Sequence, residues 1–332
     1  MAPSAEDREK PDGSVFTWGD YADKLFSITL ARHPRASQIV FVNDPYDLEF
    51  TTKDSEHDRR QSSQTYRHGT KNVYMKSKDR FPAAKDFSSM FSNTTNKQRL
   101  QTFLKEEFAN LAQTKPAINF VYSVRHTRWN LSSGDRCEEF ECHHIEADTI
   151  IFFIYSDIRK SGILDPVVID AEDIDVIVMS AFVGHNTEGL VAIKQKKGII
   201  NCRDLCPKDV ADITVPLHIF SGCDTTSGFY GHDKKTVYDK VTKSQEGCSL
   251  LKQVGKQLPA TNEVIDYLAH LTIRYVYNDK VSKSLGEARA LKWGQMKKKS
   301  TSRIPPDMDN FQLHVARVNY QTYLHLGFVT DC

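Results

Sequence analysis

Apolar residues first recur at helical spacing between Thr17 and His33. Trp18, Tyr21, Leu25, Phe26 and Leu30 line one stripe, Thr17 is suited to cap it, and His33-Pro34-Arg35 ends it. QIVFVND then gives four consecutive apolar residues stopping at Asn43-Asp44-Pro45, the pattern of a strand buried on both faces. Residues 51–90 are charged and read as a flexible or helical excursion outside the core. Residues 96–111 predict an amphipathic helix with Leu100, Phe103, Leu104, Phe108 and Leu111 on one stripe. AINFVYSV predicts a second strand, and HHIEADTIIFFIYSDI a helix packed on the sheet. VVIDAEDIDVIVMSAF reads as the clearest buried strand, with acidic residues in its middle; LVAIKQ and VPLHIF read as further strands. SGCDTTSGFYGHDKKTVYDKV reads as a Gly-punctuated turn entering a helix, and residues 261–278 and 311–326 as apolar-periodic helices.

Buried strands alternating with helices argue an α/β fold with a central, mainly parallel sheet. In such sheets, sites form beyond the carboxyl ends of the strands. The expected organisation is a disordered tail over residues 1–14, an α/β domain over 15–245, and a helical extension over 246–332 packed on the core.

Charge changes this picture little. Lys and Arg number 44 against 43 Asp and Glu, so any grip on nucleic acid comes from local patches. Apolar residues at 39% and charged residues at 26% fit a soluble globular chain. No apolar run approaches about 18 residues, so no membrane partner is expected. MAPSAEDREKPDGS lacks the apolar core of a signal peptide, and seven scattered cysteines then read as reduced thiols inside the cell.

The candidate chemistry is acidic. Asp44 ends the first strand, Glu146 and Asp148 stand in IEADT, Asp173 and Asp175 in AEDIDVIV, and Asp224 in SGCDTTS. An Asp at a strand end is often only a cap or turn former. Glu146 and Asp148, two apart, do not share a face of a regular helix. Asp173 and Asp175, two apart on a strand, point to the same side, which packing alone does not explain. Gathered carboxylates repel unless a divalent cation neutralises them, and hard oxygen donors suit Mg²⁺ or Mn²⁺. Two such ions about 3.5–4 Å apart are the usual device for phosphodiester hydrolysis.

Here a resemblance becomes specific. AEDIDVIV resembles the Glu-Asp-x-Asp strand of flap endonucleases and their PIN-like relatives, and IEADT their Glu-Ala-(Glu/Asp) helix. SGCDTTSGFYGHDKKTVYDKV resembles their Gly-x-Asp segment running into a helix–hairpin–helix, placed here at 221–243. The order of acidic blocks also matches. The whole chain from FTWGDYA onward further resembles a set of mobile-element-associated invertebrate proteins with VNDPYD, HxEADT, EDTDV and SGCDxxSGFFGHGKK blocks. The resemblance implies a PIN/flap-nuclease-like fold, with Asp44, Glu146, Asp148, Asp173, Asp175 and Asp224 holding two Mg²⁺ or Mn²⁺ ions. It also implies Lys97 and Arg99 beside the scissile phosphate, where an ordinary solvated helix face is the alternative, and Gly231, Lys234 and Lys235 on the backbone of a nucleic acid, DNA before RNA. The alternative is a domesticated, non-catalytic protein that keeps the fold as a nucleic-acid-binding or scaffold module. One departure stands out: the relatives have Gly where this chain has Asp233, which puts a carboxylate beside the expected phosphate contact and would otherwise cap the helix.

Other basic residues carry weaker patterns. Lys53, His57, Arg59 and Arg60 suit phosphate contact or a charged loop equally. Lys292, Lys297, Lys298, Lys299 and Arg303 surround Trp293 and read as a solvated run, with phosphate binding or nuclear import as alternatives. Cys137, Cys142, His143 and His144 fit no standard zinc spacing, and Cys202 and Cys206 supply no second knuckle.

Overall fold

The computed structural model describes residues 15–46, 71–124, 127–135, 146–297 and 300–330. The expected tail at 1–14, Lys53, His57, Arg59, Arg60, Lys298, Lys299 and the set Cys137, Cys142, His143 and His144 lie outside the described residues. The fold is α/β, in two compact units, Met1–Ile150 and Ile151–Cys332. The division therefore falls at 150/151, inside a helix, and the helices after residue 246 belong to the second unit with the segment before them.

In unit 1, α1 (Trp18–Arg32) opens with a reciprocal cap: the Asp20 amide donates to Thr17 and the Thr17 amide donates to Asp20 at 2.8 Å. β1 (Gln38–Asn43) pairs in parallel with β2 (Asn119–Val124), which pairs antiparallel with β3 (Thr127–Asn130). Between the parallel strands lie α2 (Ala84–Met90) and α3 (Thr94–Ala112). The core is aromatic. Trp18, Tyr21, Phe26, Phe103, Phe108 and Phe120 are buried, and so are Phe81, Phe87 and Met90. Residues 81–90 were expected outside the core, yet Phe81 sits 4.7 Å from the Trp18 ring and 4.8 Å from Tyr21. The polar surroundings of Phe81 hide it from a charge count, whereas three large rings outweigh them energetically.

The unit boundary falls within α4 (Ala147–Lys160). Unit 2 repeats the strand wiring of unit 1. β4 (Val167–Asp170) pairs in parallel with β5 (Val191–Gln195), which turns through Lys196-Lys197 into antiparallel β6 (Gly198–Asn201). The described strands thus make two three-stranded mixed sheets, not the single, mainly parallel sheet expected. Around the second sheet lie α5 (Ile174–Asn186), α6 (Lys208–Phe220), α7 (Lys234–Thr242), α8 (Gln245–Leu251), α9 (Asn262–Leu271), α10 (Leu285–Gln295) and α11 (Met308–Thr330). Phe311, Val315 and Val318 of α11 share one core with Val176, Met179 and Val183 of α5.

Two expected strands are helices. VVIDAEDIDVIVMSAF is a short strand ending at Asp170, then α5. Val176, Met179, Ser180 and Val183 are among its six buried residues and recur at intervals of three and four, a helical period that the β-branched residues mask. VPLHIF is the end of α6 and contains Pro216. That helix is buried almost all round, so its sequence shows a continuous apolar run without periodicity.

Candidate acidic and nucleic-acid site

The acidic blocks fall in both units. In unit 1, Asp44 directly follows β1, and its Oδ1 accepts the amide hydrogen of Ala147 at 2.8 Å. The first amides of a helix lack intrahelical partners and carry partial positive charge, so a carboxylate there is favoured. The cap for α4 therefore comes from the end of β1. Glu146 precedes Ala147 and accepts through its main-chain oxygen from Ile150 at 3.0 Å; Asp148 stands in the first turn. On the other side, the Gln101 side-chain amide of α3 donates to the main-chain oxygen of Asp44 at 2.6 Å. One turn earlier on α3, the Lys97 ammonium lies 5.0 Å from the centre of the Tyr46 ring. Arg99 is turned elsewhere: its guanidinium stacks 4.1 Å from the Tyr74 ring and donates to the Val73 carbonyl. That engagement competes with its expected phosphate contact.

In unit 2, Asp173 and Asp175 are not two same-side residues of a strand. Asp173 caps α5, its Oδ1 accepting the Asp175 amide at 2.9 Å, and Asp175 lies in the first turn. The capping bond replaces ladder pairing and starts the helix at Ile174. Asp175 Oδ1 accepts from His218 Nε2 at 2.7 Å, with the imidazole only 10% exposed. His218 lies in the last turn of α6, so this bond ties the start of α5 to the end of α6.

Lys234 opens α7, and its ammonium is turned inward. It donates to the Gly222 carbonyl at 2.5 Å and lies 3.5 Å from His218 Nε2. Burial lowers the Lys234 pKa below its ordinary value; Cys223, Asp175 and Asp224 lie close enough to oppose that shift. Gly222 has φ +109, and a Cβ there would meet the Gly228 main chain at 2.6 Å, so only glycine closes this turn. Gly231 also has positive φ, at 77°, and Asp233 caps α7 by accepting the Thr236 amide at 3.0 Å. Of the basic residues expected on a phosphate, Lys235 is exposed, while Lys234 serves the interior.

No family model, curated protein or solved structure matches the chain.

Carboxylate oxygens are donors that Mg²⁺ and Mn²⁺ accept, and in unit 1 Asp44, Glu146 and Asp148 fit such an ion in kind. In unit 2 Asp175 does not fit as it stands, because the His218 imidazole already holds its Oδ1. Among the described residues no group of three or more His, Cys, Asp or Glu is placed to hold a metal ion, and no helix is long and apolar enough to cross a membrane.

Sequence reasoning missed His218 and Gln101. Each interrupts an otherwise unremarkable helix stretch, and its importance comes from a partner at least 43 positions away. The only visible signal at 218 is a lone imidazole inside the apolar run VPLHIF.

Proposed function

We propose that the chain is a nuclease-type domain acting on nucleic-acid phosphodiesters, DNA before RNA, with a PIN- and flap-endonuclease-like arrangement of its acidic blocks. The observation that carries this reading is the Asp44–Ala147 bond. It brings the acidic end of the first strand onto the IEADT segment, 103 residues away, within one unit. Asp44, Glu146 and Asp148 are the residues that would hold a Mg²⁺ or Mn²⁺ ion. Such an ion, when bound, neutralises the carboxylates and makes water a better nucleophile at neutral pH. The chain's own part is positional. Gln101 fixes the Asp44 main chain, Ala147 fixes one of its carboxylate oxygens, and Lys97 places a cation one helical turn away.

The test is cleavage of labelled single-stranded, flapped and duplex DNA, and of RNA, by the purified chain with Mg²⁺ or Mn²⁺. Cleavage that disappears in Asp44→Asn and Asp148→Asn supports the reading. A chain that cleaves none of them, or cleaves equally well in both variants, removes it.

A second reading has one observation in its favour. Asp175 is engaged by His218, and Lys234 lies beside that imidazole, so one carboxylate of the unit 2 acidic block already has a partner within the chain. A non-catalytic nucleic-acid-binding module descended from a nuclease would keep the fold in this state. Binding without cleavage is its expected result.

A further inference from the structure

We infer that one face of α3 in unit 1 is a track for the backbone of a single-stranded nucleic acid, with Lys97 and Lys105 as its two phosphate contacts. The inference rests on the nucleic-acid partner proposed above, not on cleavage.

Lys97, Gln101 and Lys105 are four residues apart on α3, so they form one row on the helix surface. Each is held from the sheet side by a different part of unit 1. The Lys97 ammonium lies 5.0 Å from the centre of the Tyr46 ring, just past the end of β1. The Gln101 side chain donates to the Asp44 main-chain oxygen at 2.6 Å, and its own main-chain oxygen accepts the Tyr122 hydroxyl of β2 at 3.1 Å. The Lys105 ammonium lies 4.4 Å from the centre of the Trp129 ring on β3, and Trp129 is paired opposite Tyr122. The row therefore runs from the acidic end of β1 to β3, with an amine seated on an aromatic ring at each end.

The rings decide what those amines can do. A ring face attracts an ammonium without cancelling its charge, so the cation stays available to a phosphate. It also steadies a stem that would otherwise lose its rotamer freedom only on binding. Among the described residues no carboxylate pairs with Lys105, whose partner is the ring. Eight residues separate the two lysines, about 12 Å along the helix. That span is too long for one phosphate and suits two phosphates of one strand. A single row of cations follows a single backbone, and cations set beside aromatic rings are the means by which single strands are bound without sequence preference. Gln101, between the lysines, holds the Asp44 main chain, so a strand on this row passes the acidic end of β1.

Two measurements on the full chain test this, both in EDTA so that no cleavage occurs. In the first, a labelled single-stranded oligodeoxynucleotide is titrated at several salt concentrations. Lys105→Gln should weaken binding about fivefold at low salt, the size of one surface charge pair at contact distance. It should also reduce the slope of log affinity against log salt by about 0.7, and Lys97→Gln with Lys105→Gln by about 1.4. Lys105→Arg should keep the parent slope, and so should Lys115→Gln, at an exposed position beyond the end of α3. An unchanged slope in Lys105→Gln, or tighter binding of duplex than of single strand, would overturn the inference. The second needs no variant. Under limiting reductive methylation with peptide mapping, the oligonucleotide should slow the reaction of Lys97 and Lys105 about fivefold or more and leave Lys115 unchanged. Equal rates at Lys105 with and without the strand would show that the track is elsewhere. Protection without cleavage in Mg²⁺ or Mn²⁺ removes the nuclease reading alone; cleavage without protection removes this inference alone.

Discussion

The carboxylate of Asp44 accepts the amide hydrogen of Ala147, 103 residues further along the chain, at 2.8 Å. A single side chain thus closes the strand that precedes it and starts a helix to which it is not connected locally. The contact serves two purposes that substitution separates. Asp44→Ala should destabilise unit 1 by about 1 kcal/mol, the cost of a lost helix cap. Asp44→Asn keeps an acceptor oxygen for Ala147 and should cost markedly less. If the proposed function holds, both variants lose cleavage equally. Urea melts of the two proteins, set beside their rates, distinguish scaffold from chemistry.

Phe81 provides a second test, since its segment is charged in sequence and buried in the fold. Phe81→Ala removes a ring packed on Trp18, Tyr21 and Phe87 and should cost about 3–5 kcal/mol. Tyr74→Ala, at a residue 71% exposed, should stay within about 0.5 kcal/mol on the same melt. Equal losses would mean that Phe81 is not in the core.

Much of this was legible in the sequence, and the failures have physical reasons. The first helix could be read to its last residue because a cap, a stripe and a proline agree. The strands at 38–43 and 119–124 were legible as apolar runs, and the capping role that the sequence left open for its acidic residues is the one Asp44 and Asp173 take. What failed was local geometry wherever burial removed contrast. In α6, apolar residues surround the helix and erase its period. In α5, β-branched residues outvoted the spacing of Val176, Met179, Ser180 and Val183. The pairing of Asp175 with His218 was beyond reach, because it depends on packing between two helices that the sequence had suggested were strands.

Two histidines make unit 2 sensitive to acid. Burial pushes the His314 imidazole below its ordinary value of 6.5, against the opposing effect of the Phe220 carbonyl that its Nε2 meets at 3.2 Å. His232 is lowered too, by burial first and then by Lys292 and Lys240. For a group with a depressed folded pKa, the unfolded chain binds more protons between the two values. Stability should therefore be full above the unfolded value near 6.5 and fall as pH drops towards the folded values, by at most about 1.4 kcal/mol per pH unit for each histidine. His314→Gln, which can still donate to Phe220, should flatten part of that slope, and adding His232→Gln the rest. Denaturant melts between neutral pH and mild acid check it; an unchanged slope in the double variant would show that other groups titrate.

Asp233 sits where the resembled blocks carry glycine, and it caps α7. Asp233→Gly should cost about 1 kcal/mol or less, from the lost cap and the freer backbone. It also removes a carboxylate from beside exposed Lys235, so nucleic-acid binding should tighten and become more steeply salt-dependent. Titrations at two salt concentrations decide the matter. If the variant binds no better than the parent at low salt, this turn is not a phosphate contact.

The close packing of Gly184 against Cys202 has a practical consequence. A Cβ at position 184 would meet Cys202 at 2.7 Å, and the sulfur-bearing residue is fully buried with its thiol pushed up to about 12 by that burial. Such a thiol is both inaccessible and un-ionised, so alkylating reagents reach it only when the surrounding helices separate. Cys202 is thus a built-in clock. Its labelling rate, resolved from the other cysteines by mass spectrometry, counts the openings of unit 2 under native conditions, with no residue replaced.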